Sequence, residues 1–213
     1  MSQIILYQAS AGILLATDSR AVQFTPGGEP VYLEVNKLFP LGRGTLLATV
    51  GAGYGLALCR DFEQRMRQMR VLETEDIMEQ AMVFFPAAVE RFQQELASSP
   101  HDRELQRLYL VLAGHQGPPG RSRFPFVVLA SEHDADPLHQ LKTGHFVCIP
   151  RQLKIEYRLN QLAPDQVSLD EVQELCAGYL TQMARNTEDL APPFHLARIT
   201  ERGLELRTIS EFS

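Results

Sequence analysis

Two short apolar runs near the start constrain the chain most. Ile4-Ile5-Leu6-Tyr7 and Ile13-Leu14-Leu15-Ala16 are almost unbroken in apolar character, and Ser10-Ala11-Gly12 separates them. Runs this short, bounded by turn residues, read as strands, with residues 2–9 and 12–19 forming a hairpin. A strand with one wet face alternates in polarity. These do not, so both faces need cover, and the fold must supply layers on either side of a sheet.

The rest of the chain is consistent with such layers. Residues 25–30 read as a loop, 31–41 as a strand carrying Lys37, and Thr45 to Val50 as a buried strand leading through Gly51-Ala52-Gly53-Tyr54-Gly55 into a helix. Tyr54, Leu58, Phe62, Met66 and Met69 recur at helical spacing. Thr74 then caps a second helix, with Glu75 and Asp76 in the first turn, where the dipole favours negative charge. Pro86 lies inside it and predicts a kink or a break into two pieces, with Ser98-Ser99-Pro100 closing the helix. Leu105 to Ala113 and Phe124 to Ala130 read as strands, and 138–148 as partly extended; residues 150–167 carry little signal. Ser168-Leu169-Asp170-Glu171 is a capping box, opening a helix that buries Val172, Leu175, Cys176, Tyr179, Leu180 and Met183. A hairpin from Phe194 to Ile209 ends the pattern. Clustered rather than alternating elements predict an α+β fold with antiparallel sheets sandwiched between helical layers. The length, 213 residues, suits a single domain spanning 1–213.

Several function classes are disfavoured. The net charge is −6, and the densest basic stretch, Arg65 to Arg70, has the spacing of a solvated helix face rather than a phosphate-binding patch. The glycine cluster after the Thr45–Val50 strand fails the dinucleotide fingerprint, because Leu56 stands where the third glycine belongs. It reads instead as tight strand-to-helix packing or as a backbone N–H aimed at an oxyanion. Glu132 to Asp136 holds metal-ligating atoms but reads as a polar turn, and no histidine pair has ligand spacing. The sequence G-x-S-x-G is absent. Cys59, Cys148 and Cys176 lie in apolar contexts and read as small core residues of a protein in a reducing compartment. No run is long enough to span a membrane, and the start lacks the basic region of a signal peptide, so a cytoplasmic protein without cofactor or metal is expected.

Ser2, Asp18, Lys37 and Gly51 then remain. Removal of Met1 leaves Ser2 with a hydroxyl and a free α-amine, a nucleophile carrying its own base. Gly12 to Arg20, ending in Asp18-Ser19-Arg20, Asn36-Lys37-Leu38-Phe39, and Ala48-Thr49-Val50-Gly51 before a helix together resemble the proteasome-type N-terminal nucleophile (Ntn) hydrolases, the family of proteasome β-subunits and their bacterial relatives. In that family the nucleophile lies sixteen positions before the strand-ending acid, and counting back from Asp18 reaches Ser2.

The resemblance implies a four-layer αββα sandwich of two antiparallel sheets and a threonine-peptidase-like activity on amide or peptide bonds. It makes Ser2 the nucleophile, Lys37 the charge beside it, Asp18 the partner of Lys37, the Gly51 N–H the oxyanion donor, and Thr49 a pocket-lining residue. It also implies self-association into rings or partial rings, a peptide or protein substrate, and an ATP-dependent unfoldase as a candidate partner. The chain departs from the family in the supporting cluster. Asn186 or Thr187 aligns with an expected Asp, with Glu188 or Asp189 as substitutes, and His145 falls where a Ser is expected. A catalytically silent scaffold or peptide-binding subunit, or a small-molecule amidase, are therefore the alternative readings.

Overall fold

The computed structural model describes residues 2–24, 28–96, 107–118, 120–121, 123–132 and 136–210. The predicted loop at 25–27, the helix end at Ser98-Ser99-Pro100, the start of a strand at Leu105 and the centre of the polar turn, 133–135, lie outside the described residues. The chain divides into two compact units, residues 1–37 with 144–200 and 205–213, and residues 38–143 with 201–204.

In the first unit, β1 (Ile4–Ala9), β2 (Gly12–Thr17), β10 (Phe146–Ile149), β11 (Phe194–Thr200) and β12 (Gly203–Ile209) form one sheet in the order β10-β1-β2-β11-β12. The predicted hairpin is present: β1 and β2 run antiparallel, with Ile4 opposite Thr17 and Ala9 opposite Gly12. Every residue of β2 is buried, which agrees with the cover on both faces that its apolar run demanded. On one face, Ile5, Tyr7, Leu14, Ala16 and Leu196 pack with residues of α3 (Leu153–Asn160) and α4 (Leu169–Asn186). The capping box of α4 is complete: the Glu171 N–H donates to Ser168 Oγ at 3.2 Å, and the Ser168 N–H to Glu171 Oε2 at 2.9 Å. Val172, Cys176, Tyr179 and Leu180 are buried as the helical spacing requires, while Leu175 and Met183 are half-buried at the edge of the stripe.

β3 (Arg20–Phe24) and β4 (Pro30–Glu34) make a separate two-stranded ribbon, with Arg20 opposite Glu34. The single strand expected over 31–41 is two strands of different sheets, β4 and, in the second unit, β5 (Leu38–Leu41). Lys37 sits in the non-strand segment that joins them, anchored by the Val35 N–H donating to the Ser19 carbonyl at 2.7 Å.

The second unit holds the sheet β5-β6-β7-β8-β9, where β6 is Thr45–Gly51, β7 Leu108–Gly114, β8 Phe126–Ser131 and β9 His139–Gln140. α1 (Tyr54–Met69) and α2 (Thr74–Leu96) bury Leu58, Phe62, Met66, Phe85 and Val89 with Leu47, Leu110 and Leu112 of this sheet. α2 runs through Pro86 as one helix, so the break predicted there does not occur. Burial of Phe85 and Val89 on either side of the proline offsets the lost backbone hydrogen bond.

Candidate active site

Pairing Ile4 with Thr17 sets Gln3, the residue before β1, beside Asp18, the residue after β2, and so brings Ser2 next to Asp18's surroundings. Asp18 is completely buried and accepts three hydrogen bonds. The Gln3 N–H donates to Oδ1 at 2.8 Å, the Arg20 N–H to Oδ2 at 2.9 Å, and Lys37 Nζ to Oδ1 at 2.9 Å. Three donors, one of them an ammonium, replace most of the hydration that burial takes from this carboxylate.

Lys37 is 3 % exposed, and its ammonium meets an acceptor for each of its three hydrogens: Asp18 Oδ1, the Arg20 carbonyl at 2.7 Å and Ser2 Oγ at 2.8 Å. Burial lowers the Lys37 pKa below 10.5, and the neighbouring Asp18 carboxylate pulls it partly back. Ser2 Oγ in turn donates to the Arg20 carbonyl at 3.2 Å. The hydroxyl is thus fixed between one acceptor and a cation, an arrangement that stabilises negative charge on Oγ when its proton leaves. Ser2, Asp18 and Lys37, chosen from the sequence, form one connected hydrogen-bonded cluster within one unit.

Arg20 ties the cluster to the segment after α4. Its guanidinium donates to the Glu188 carbonyl and lies over the Tyr32 ring, 4.8 Å from the centroid. With Arg185, Asn186, Thr187, Glu188 and Pro192, among others, it lines a hollow of about 470 Å³. Asn186 is turned back on its own helix, Nδ2 donating to the Gln182 carbonyl at 2.9 Å, and is exposed. Glu188 meets the cluster through its backbone oxygen. The Asp189 N–H donates to Thr187 Oγ1 at 3.2 Å, in a tight turn.

The structure places His145 away from Ser2. Its carbonyl accepts from the Gln8 N–H at 2.7 Å, six residues along the chain from Ser2, or roughly 20 Å in an extended strand. Its ring lies edge-on to Tyr7 at 5.3 Å, inside an aromatic group that the sequence spacing does not disclose.

Gly51 and Thr49 belong to the second unit. Gly51 has φ +98°, and a Cβ there would fall 2.0 Å from the Arg107 carbonyl oxygen, so glycine is required for both reasons. Thr49 shares with Leu47 the face of β6 that turns to α1, because side chains alternate along a strand. It is 2 % exposed, and its Oγ1 lies 2.5 Å from where a Cβ on Gly55 would stand. It is therefore packed beneath α1 rather than lining an open surface. The same contact explains Gly55 as the close strand-to-helix approach read from the glycine cluster.

The cysteines behave as core residues. Burial pushes the thiols of Cys59 and Cys176 far up and that of Cys148 up to about 12, which leaves none of them a nucleophile at neutral pH. Among the described residues no three His, Cys, Asp or Glu side chains form a group able to hold a metal, and no helix is long and apolar enough to cross a membrane.

Antiparallel sheets with helices packed on them agree with the αββα fold class that the sequence predicts. No family model matches the sequence, and no curated protein does. Among solved structures the chain is similar to Anbu (ancestral beta-subunit) from Yersinia bercovieri, with a TM-score of 0.70 at 11% identity, over 98% of this chain and 88% of that one. A likeness at that identity shows the fold, and the fold is the one the sequence resemblance implied.

Proposed function

We propose that the chain is an amide or peptide hydrolase of the proteasome type, with Ser2 as nucleophile once Met1 is removed. The observation that carries this reading is Lys37 Nζ, 2.8 Å from Ser2 Oγ and 2.9 Å from Asp18 Oδ1. An α-amine has an ordinary pKa of about 7.7–8.0, and a neighbouring ammonium disfavours its protonated form. The free amine takes the Oγ proton, and Oγ attacks the substrate carbonyl. Lys37 stabilises the charge on Oγ, and the tetrahedral oxyanion then collapses. The α-ammonium passes its proton to the leaving amine, and an ester on Ser2 remains. Water, deprotonated by the same amine, cleaves that ester and regenerates the hydroxyl. The reading needs no metal or cofactor.

A second reading, a catalytically silent scaffold or peptide-binding subunit, draws on the supporting cluster. Asn186 binds its own helix and His145 packs on Tyr7, so neither stands in for the acid and hydroxyl expected beside the nucleophile. Both readings include self-association, as the name of the structural relative, an ancestral beta-subunit, suggests, and a cytoplasmic location. An ATP-dependent unfoldase is the partner the hydrolase reading adds.

The test is release of a fluorophore from a panel of peptide amides by wild type and Ser2→Ala. The hydrolase reading expects turnover that Ser2→Ala abolishes. Equal turnover by the two proteins, or none by wild type with Met1 removed, supports the scaffold.

A further inference from the structure

The hollow beside the Ser2 cluster has a chemistry that the reaction above leaves unused. Its volume, about 470 Å³, is ample for a side chain or a small ligand. Leu190 and Pro192 give it apolar walls, and Arg20 and Arg185 line it with them. A guanidinium carries five N–H donors and keeps its charge at any pH the fold meets. Arg20 donates to the Glu188 carbonyl and lies over the Tyr32 ring, while Arg185 is exposed. Neither guanidinium makes a further hydrogen bond or an ion pair among the described residues. Glu188 also lines the hollow, but it meets Arg20 through its backbone oxygen, and its carboxylate pairs with neither arginine. Arg20 connects this hollow to the nucleophile. Its carbonyl accepts from Ser2 Oγ at 3.2 Å and from Lys37 Nζ at 2.7 Å, and all these residues belong to one unit.

We infer that this hollow is a subsite for a carboxylate carried by the substrate, a Glu or Asp side chain or a free C-terminus within about three residues of the cleaved bond. Its place beside a cleaved bond rests on the hydrolase reading; its affinity for a carboxylate does not. The planar fork of a guanidinium matches the two oxygens of a carboxylate, a fit that a neutral amide does not offer. An apolar wall beside the cations keeps part of the solvent away and so weakens screening. The net charge of the chain is −6, which repels acidic ligands at long range, so a preference for one reports the hollow itself.

Two measurements test this on the full-length protein. The first reads binding alone, in Ser2→Ala, from the fluorescence anisotropy of rhodamine-labelled peptides that differ in one group. One carries Glu and a C-terminal amide, one Gln and a C-terminal amide, and one Gln and a free C-terminus. At least one acidic peptide binds about threefold or more tightly than the neutral one. Arg185→Gln removes that preference and Arg185→Lys keeps part of it. Lys142→Gln, the same loss of charge at an exposed position of the other unit, leaves it intact. The favoured acid tells a side chain from a terminus. No preference, or one that survives Arg185→Gln or vanishes in Lys142→Gln, overturns the site. The second measures kcat/KM of wild type on internally quenched peptides in which Glu replaces Gln at successive positions around the cleaved bond. Glu at one position raises kcat/KM by about threefold, and Arg185→Gln loses the gain. No gain at any position overturns the subsite. Wild type that cleaves none of the peptides while Ser2→Ala still prefers the acidic one counts against the hydrolase reading instead, and the carboxylate site stands.

Discussion

Lys37→Met removes the ammonium that is hydrogen-bonded to the buried Asp18 carboxylate. Asp18 is 0 % exposed and Lys37 3 %, so the pair is buried, and breaking such a pair typically costs about 3–5 kcal/mol. Two backbone N–H groups, of Gln3 and Arg20, still hold the carboxylate after the change, at 2.8 and 2.9 Å. Charge-assisted bonds of this kind offset part of the loss, which places the expected destabilisation at the lower end, about 3 kcal/mol. The methionine keeps the apolar stem's packing, so the loss reports on the charge. Urea unfolding at pH 7, on wild type, Lys37→Met, Asp18→Asn and the double variant, measures it. The double variant should be more stable than the sum of the single losses predicts, by about 2 kcal/mol, because it leaves no uncompensated charge. A loss below about 1 kcal/mol for Lys37→Met, or additive losses in the double variant, would refute the argument that Asp18 is a charged, buried partner of Lys37.

Three further outcomes are expected. The buried thiols make the fold sensitive to alkali: the Cys148 thiol, ordinarily near 9.0, is raised to about 12 in the folded chain. Above pH 9 the unfolded chain loses that proton first, so stability present below pH 9 falls towards pH 12 by about 1.4 kcal/mol per pH unit per thiol, and Cys148→Ala flattens the slope in chemical denaturation. Ser168→Ala removes one half of the capping box and costs about 1 kcal/mol in urea unfolding, with the α4 amides exchanging faster by hydrogen exchange. Gly51→Ala forces a Cβ to 2.0 Å from the Arg107 carbonyl oxygen in a left-handed conformation and costs about 2 kcal/mol or more, read as a lower thermal midpoint; a neutral effect contradicts the backbone geometry at that position.

Much of this architecture was legible because burial leaves a strong mark on the chain. The unbroken apolar runs of β1 and β2 announced strands covered on both faces, and the Ser168–Glu171 box marked the start of α4 to the residue. What escaped notice lacks that mark. β4 is exposed at all five positions, so nothing in its pattern separates it from β5, and the crossing at Val35–Lys37 between two sheets was read as continuous strand. α3 buries only Ile155 and Leu159, too few apolar positions for a period to emerge. Ser2, Asp18 and Lys37 were singled out through the family resemblance; the hairpin and the Lys37 hydrogen bonds bring the three together. Thr49 was not, since its orientation depends on the alternation within β6 and on the close approach of α1 at Gly55. His195 shows why registers matter: it lies 178 positions from Thr17 in sequence, and only the pairing of β11 with β2 brings it opposite that residue.

The most direct test of the account is a mass measurement. Protein made in a bacterial cytoplasm is weighed intact, treated with an electrophile selective for N-terminal hydroxyl nucleophiles, weighed again and mapped by peptide sequencing. The account predicts a chain that begins at Ser2, one adduct per chain located on Ser2, and no adduct in Ser2→Ala or Lys37→Met that remain folded. A processed chain with no adduct on Ser2, or an adduct that survives Ser2→Ala, contradicts it.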